Sequence, residues 1–301
     1  MILTADDLIA DIKLRGSVPT SSNRFTNALF LSLSNSEMES KILPMVIAAR
    51  QNYYEYNIDT AINATGLYPI HTRAFLSMLL NVSLVTSTNR FDLSLLDEDA
   101  QTNLDSPSGG NVGFLLKRNT IQLKPLSGSG YTSLRQTIAL RPGSFVLLSA
   151  AAQITAVSGS TLTFAASAIP STWDTGDTFD LIQANPQFDT LNIDLSASTV
   201  DSSGGSIVLT STPDTNLAVG DYIALAGQSP VVQVPDAFSY FLSQRVANVC
   251  MRIMGKKEEL AAGMEIAKEM EEDLQDAIQP RVQREAPKIV NRTGILRRGN
   301  L

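Results

Sequence analysis

Over the first third of the chain, apolar positions recur every three or four residues. Thr4 with Asp7 has the spacing of a capping box, Leu8, Ile9 and Ile12 follow at helical intervals, and Gly16 can close the helix. Phe25, Leu29 and Leu33 predict a second helix. Ser36 and Glu39 repeat the capping signature ahead of a stripe of Met38, Ile42, Val46, Ala49 and Tyr53, which Pro44 should kink or break. Gly66 ends this region, and Pro69 is placed to open a further helix carrying Ile70, Ala74, Phe75 and Met78. Short amphipathic helices joined without a long linker predict a small packed bundle.

From Val112 the rhythm changes. Runs such as Gly113-Phe114-Leu115-Leu116 and Thr120-Ile121-Gln122-Leu123 are separated by the turn candidates Gly128-Ser129-Gly130 and Arg141-Pro142-Gly143. An internal echo follows. Ser160-Thr161-Leu162-Thr163-Phe164 and then Gly176-Asp177-Thr178-Phe179-Asp180-Leu181 return as Ser206-Ile207-Val208-Leu209 and Gly220-Asp221-Tyr222-Ile223-Ala224-Leu225. Two copies of strand, turn-rich loop and Gly-Asp turn suit a small antiparallel sandwich or barrel-like module. Helical spacing then resumes. Phe238, Phe241, Leu242, Val246, Val249, Cys250 and Ile253 form one stripe up to Gly255, and Leu260, Met264, Ala267, Met270, Leu274 and Ile278 form another up to Pro280. A short Gly turn between them predicts an antiparallel hairpin closing onto the N-terminal helices. Beyond Pro280 the helical period is lost, as in an extended arm.

The expected fold class is therefore α+β, a helical core built from N- and C-terminal helices with an inserted antiparallel β module and an extended C-terminal arm. Its parts are the N-terminal helical part of the core (1–111), the β module (112–234, with its repeat at about 153–186 and 198–231), the helical hairpin (235–280) and the basic arm (281–301).

Charge divides along the same lines. Residues 1–141 carry 12 basic and 12 acidic groups, residues 142–244 have nine Asp and no Lys, Arg or Glu, and residues 245–301 carry 11 basic against 9 acidic groups. Such block asymmetry marks surfaces with different neighbours. No run approaches the roughly 18 apolar residues of a membrane helix, so no membrane partner is expected. The first residues have no basic stretch before an apolar one, so no secretion signal is expected either.

Candidate chemistry is sparse. With one histidine, His71, and one cysteine, Cys250, most metal and acid–base constellations are out of reach, and no cofactor or metal is expected. His71 reads as an ordinary histidine in the first turn of a helix and Cys250 as an inert core thiol. Asp174-Thr175-Gly176 matches a short aspartic-protease signature, but the repeat has Ala218-Val219-Gly220 there, so the second carboxylate is missing and a turn is the better reading. Glu258, Glu259, Glu265, Glu269, Glu272, Asp273 and Asp276 lie opposite the apolar stripe of the last helix, as a solvated face does. Ser108-Gly109-Gly110-Asn111 lacks the Gly-Lys pair of a phosphate cradle. The arm stands out: Arg281, Arg284, Lys288, Arg292, Arg297 and Arg298 alternate with apolar residues including Ile289, Ile295 and Leu296, a pattern that favours docking on another protein.

Several motifs in their order resemble the tailed-phage head–tail adaptor (connector) family. They are Tyr68-Pro69-Ile70-His71-Thr72-Arg73-Ala74, Val112-Gly113-Phe114, Ile121-Gln122-Leu123-Lys124-Pro125, Arg141-Pro142, Val219-Gly220-Asp221-Tyr222, Gly227-Gln228-Ser229-Pro230-Val231, Val234-Pro235-Asp236 and Gln279-Pro280-Arg281-Val282. Pro69, Arg73, Gly220, Asp221, Pro230 and Pro235 are the single positions that carry the likeness. The resemblance implies a non-enzymatic ring, usually twelve-fold, in the virion neck between capsid and tail and assembled in the host cytoplasm. It implies contacts with the portal protein and with tail or nozzle proteins, and DNA passing through the lumen. By the same analogy, residues 281–301 are the arm that grips the portal. The competing expectation is a virion-surface module that recognises a glycan or receptor through residues 142–234, for which Trp173 offers a thin stacking platform, a ring anchored in the core being the better reading of that residue.

Overall fold

The computed structural model describes the chain apart from residues 1–2, 20–23, 87, 97–112, 125–130, 185–188 and 279–301. The turn candidate Gly128-Ser129-Gly130, the Ser108–Asn111 stretch, Pro280 and the whole arm thus lie outside the described residues.

Helix α1 (Ala5–Arg15) begins with the capping box its sequence announces: the Thr4 side chain accepts from the Asp7 amide, and Asp7 accepts in return from the Thr4 amide. Such a cap contributes about 1 kcal/mol. Helix α2 (Asn27–Glu37) is capped by Thr26 and runs without a break into a π-helical turn (Met38–Ile42) and α3 (Leu43–Ala49). Ser36 and Glu39 therefore cap nothing. The widened turn comes just before Pro44, and the helical run ends at Ala49, short of Tyr53.

From residue 55 the expected helical part gives way to sheet. One sheet has the order β1 (Glu55–Ala61), β8 (Ser133–Leu140), β3 (Ala74–Val85), β4 (Arg90–Asp92). A second has the order β2 (Leu67–Pro69), β7 (Thr120–Lys124), β6 (Gly113–Lys117), β5 (Ser94–Leu95). They share a core of Tyr68, Val82, Leu84, Phe114, Ile121, Leu134 and Ile138. Pro69 ends an edge strand, where its missing N–H breaks no ladder.

The short β9 (Ser144–Phe145) pairs in parallel with β16 (Gln228–Ser229) and leads into a closed six-stranded barrel. Its strands are β10 (Ala152–Ser158), β11 (Thr161–Phe164), β12 (Thr178–Ile182), β13 (Thr190–Asp201), β14 (Ser206–Leu209) and β15 (Tyr222–Leu225), in the cyclic order β10-β11-β14-β13-β12-β15. Exchanging β10, β11 and β12 with β13, β14 and β15 leaves that cycle unchanged, so the sequence echo is a two-fold repeat of the barrel itself. The Gly-Asp turns match as well. Asp177 accepts from the Asp174 amide at 3.0 Å, and Asp221 accepts from the Ala218 amide at 2.8 Å. Leu162, Phe179, Leu181, Ile207, Leu209 and Ile223 fill the barrel, with Trp173 edge-on to Phe179.

Helix α4 (Asp236–Met254) ends in a left-handed Gly255 and folds back as α5 (Lys257–Ile278). Phe238, Phe241, Leu242, Val246 and Cys250 bury against Leu8, Ile12, Phe30, Ile42 and Leu43. This helical cluster is one of three large cores. The expected fold class, a helical core with a small inserted β module, is thus corrected: among the described residues strand outweighs helix, and two sheets and a closed barrel form most of the body. The physical reason lies in residues 67–85. Ile70, Ala74, Phe75 and Met78 fit a helical spacing, but Ala74–Val85 is a mostly apolar run, buried at its ends and half-buried in the middle, and in such a run periodicity does not separate helix from strand.

Candidate functional site

Turning from β2 into β3, the chain places Arg73 at the junction between the sheets and the barrel. Its guanidinium, in a side chain 8% exposed, donates to both oxygens of Asp180 at 3.3 and 2.8 Å and to Asp194 at 3.3 Å. Asp180, 1% exposed, also accepts from the amides of Asp194 and Gly227. Burial works against the Arg73 charge, but Asp180 first and Asp194 next outweigh it, so its pKa rises. His71 stands on a turn here, not in the first turn of a helix as expected. Its Nδ1 accepts from the Arg73 amide, and its Nε2 is 3.6 Å from Asp194. Asp194 holds a left-handed φ of 53° inside β13, where the register with β12 shifts.

Beside this junction lies a half-open cleft of about 560 Å³. One wall is the segment Asn52–Asn57, which enters β1, and the other is Asp189–Asn192, which enters β13. Among the described residues both present a free strand edge: β1 pairs only with β8, and Thr190–Asn192 pairs only with β12, since β14 joins from Ala197 onward. Tyr53, Tyr54 and Tyr56 line it, and the Tyr56 hydroxyl donates across it to the Leu191 carbonyl at 3.4 Å. Burial pushes the Tyr53 hydroxyl up to about 12, and Asp189 and Asp236 add to the effect. Burial likewise raises Tyr54 well above its ordinary value, with Tyr53 contributing, and raises Tyr56, with Asp180 and Asp214 contributing. At the rim, partial desolvation raises the Asp189 carboxyl. Glu55, Asp189 and Asp214 line the cleft, none of its described lining residues is Lys, Arg or His, and Arg50 and Arg73 act on Tyr53 and Tyr56 from outside it. The arrangement repels anions and favours cations or neutral hydrogen-bonding groups.

The remaining positions named from the sequence have structural surroundings. Pro69 is exposed, and its carbonyl accepts from the Gln136 side chain. Gly220 has φ 101° in the turn before β15, a conformation that suits glycine. Asp221 is buried and accepts from the Ala184 and Ala218 amides. Pro230 is buried, and its carbonyl accepts from Ala5 at the start of α1. Pro235 is the N-cap of α4. Arg281, Arg284, Lys288, Ile289, Arg292, Ile295, Leu296, Arg297 and Arg298 lie outside the described residues. Asp174 closes a turn through the Gly176 amide at 2.6 Å, and Trp173, at 6% exposed, presents no open ring face. Among the described residues of this set, Arg73 acts on Tyr56 in the cleft wall, and Pro235 caps the helix whose Asp236 acts on Tyr53. The cleft itself was missed; the signal for it was the tyrosine-rich run Tyr53-Tyr54-Glu55-Tyr56, which leads into the alternating stretch Tyr56-Asn57-Ile58-Asp59. No family model matches this chain, and no curated protein matches it.

Proposed function

We propose that this chain is a structural subunit of the head–tail connector of a tailed phage, a β-rich wedge that repeats into a ring below the portal. The observation that carries the reading is the polarity of the chain: nine Asp and no Lys, Arg or Glu between residues 142 and 244, which include the whole barrel, against six basic residues and Glu285 alone between 281 and 301. An acidic barrel facing a lumen lets duplex DNA slide by, because phosphate affinity grows with each cation engaged. A cationic, partly apolar terminus suits docking on the portal, with Ile289, Ile295 and Leu296 offsetting the entropy lost on ordering. The order of the adaptor-like motifs supports the same reading. Head-to-tail contacts whose rotation closes on itself form the ring.

In this reading the Arg73–Asp180 pair serves rigidity, keeping barrel and sheets in one orientation so that a repeated contact closes. The chain acts without catalysis, and tail or nozzle proteins meet the face away from the portal. Light scattering on the full chain, with and without the portal protein of the same phage, tests this. A portal-bound ring that loses its portal on deletion of 281–301 supports it, and unchanged binding removes the arm from the mechanism.

A further inference from the structure

The cleft between β1 and β13 has the form of an acceptor for one more strand. Two free strand edges face it, so an extended segment can take backbone hydrogen bonds from either side. Among the described residues neither Glu55 nor Asp189 is paired with a cation, and tyrosine rings lie beside them. Carboxylates among aromatic rings are the surroundings that bind guanidinium and ammonium groups.

The described chain also ends close by. Asn248 of α4 donates to the Gly263 carbonyl of α5 at 2.9 Å, which fixes the antiparallel alignment of the hairpin. Twelve residues before Asn248 is Asp236, and twelve after Gly263 is Gln275, so the end of α5 lies beside the first turn of α4. That turn adjoins the cleft: Asp236 acts on Tyr53, and Gln233 lines the wall. Leu274 is buried in the cluster against which Tyr53 and Tyr54 pack. Ten further residues reach Lys288 and span about 33 Å when extended, enough to enter the cleft from its rim.

We propose that the cleft is the docking site for this chain's own residues 288–292, Lys288-Ile289-Val290-Asn291-Arg292, laid as an added strand along β1. Alternation puts Lys288, Val290 and Arg292 on one face, with the two cations toward Glu55 and Asp189, and β-branched Ile289 and Val290 suit an extended strand. The cleft then parks the arm in the free subunit, and a portal competes for the same segment. The docking does not depend on the connector reading, since a parked arm is expected of the free chain whatever its partner.

Carbodiimide coupling of the full-length chain, read by mass spectrometry, tests it, because Lys288 is the only lysine beyond residue 268. Expected are intramolecular links from Lys288 to Glu55, Asp189 or Asp214. Hydrogen exchange of the Glu55–Ala61 amides is expected to be about tenfold faster in a Lys288→Glu/Arg292→Glu variant. Links confined to the glutamates of α5, links only between chains, no links, or unchanged exchange in the variant would each overturn the docking. Loss of portal binding without loss of these links would instead count against the connector reading alone.

Discussion

Replacing Arg73 by alanine leaves the Asp180 carboxylate as an unpaired charge in a site 1% exposed. Breaking one side of such a pair costs about 3–5 kcal/mol, so Arg73→Ala is expected to lower the denaturation midpoint sharply. Changing both partners to leucine is expected to recover only part of the loss, because it removes the stranded charge but leaves the Asp194 and Gly227 amides without their acceptor. Two other buried groups set an alkaline limit. Burial raises the Cys250 thiol from an ordinary 9.0 to about 11 and the Tyr53 hydroxyl from 10.0 to about 12. Well below pH 9 both are neutral, folded or unfolded. Above it the unfolded chain ionises first, so stability falls until the folded groups ionise too. Urea midpoints should hold up to about pH 9 and then drop, by on the order of 1–2 kcal/mol for each group. In Cys250→Ala the earlier part of the drop should vanish. A midpoint that stays level to pH 11 would contradict the burial of both groups.

Among the elements, the hairpin depends on a close approach at Gly263, where an added Cβ would collide with the Asn248 side chain. Gly263→Leu is therefore expected to cost about 1–3 kcal/mol and to free α5 first, seen as faster hydrogen exchange in α5 than in α1. In β3, Leu76 and Ser77 take φ of 48° and 57°, forming a bulge between the Ala74–Leu140 and Leu79–Ile138 pairs. Leu76 is 81% exposed, so Leu76→Gly is expected to raise stability by about 1 kcal/mol in denaturant titrations, the backbone relief exceeding the small loss of burial. A loss of stability would mean that the side chain is packed.

The same elements show where the sequence was legible. Thr4, Asp7, Gly16, Pro235 and Gly255 punctuate helices whose apolar faces are clean, and α1, α4 and α5 stand where those signals put them. Ala74–Val85 was not legible, because apolar residues occupy half-buried as well as buried positions, which blurs either rhythm, and the bulge breaks the strand period. The cleft was hidden for a different reason. Its two walls are some 130 residues apart, and what joins their two sides is side-chain contact, Tyr56 to the Leu191 carbonyl and Arg73 to Asp180 and Asp194, which no local pattern announces.

For the whole molecule, the repeat was legible as two similar stretches. A sandwich and a barrel were both open from the sequence; the structure has the barrel, and its interlocked pairing was not legible, because β11 with β14 and β12 with β15 cross between copies. The charge map survives the change of fold, since it belongs to the sequence. What it means for assembly is most directly tested by electron microscopy of the full chain, alone and mixed with the portal protein of the same phage. A closed ring stacked on the portal, lost when residues 281–301 are deleted, is the predicted result. Single subunits in both samples, with the portal bare, would contradict it.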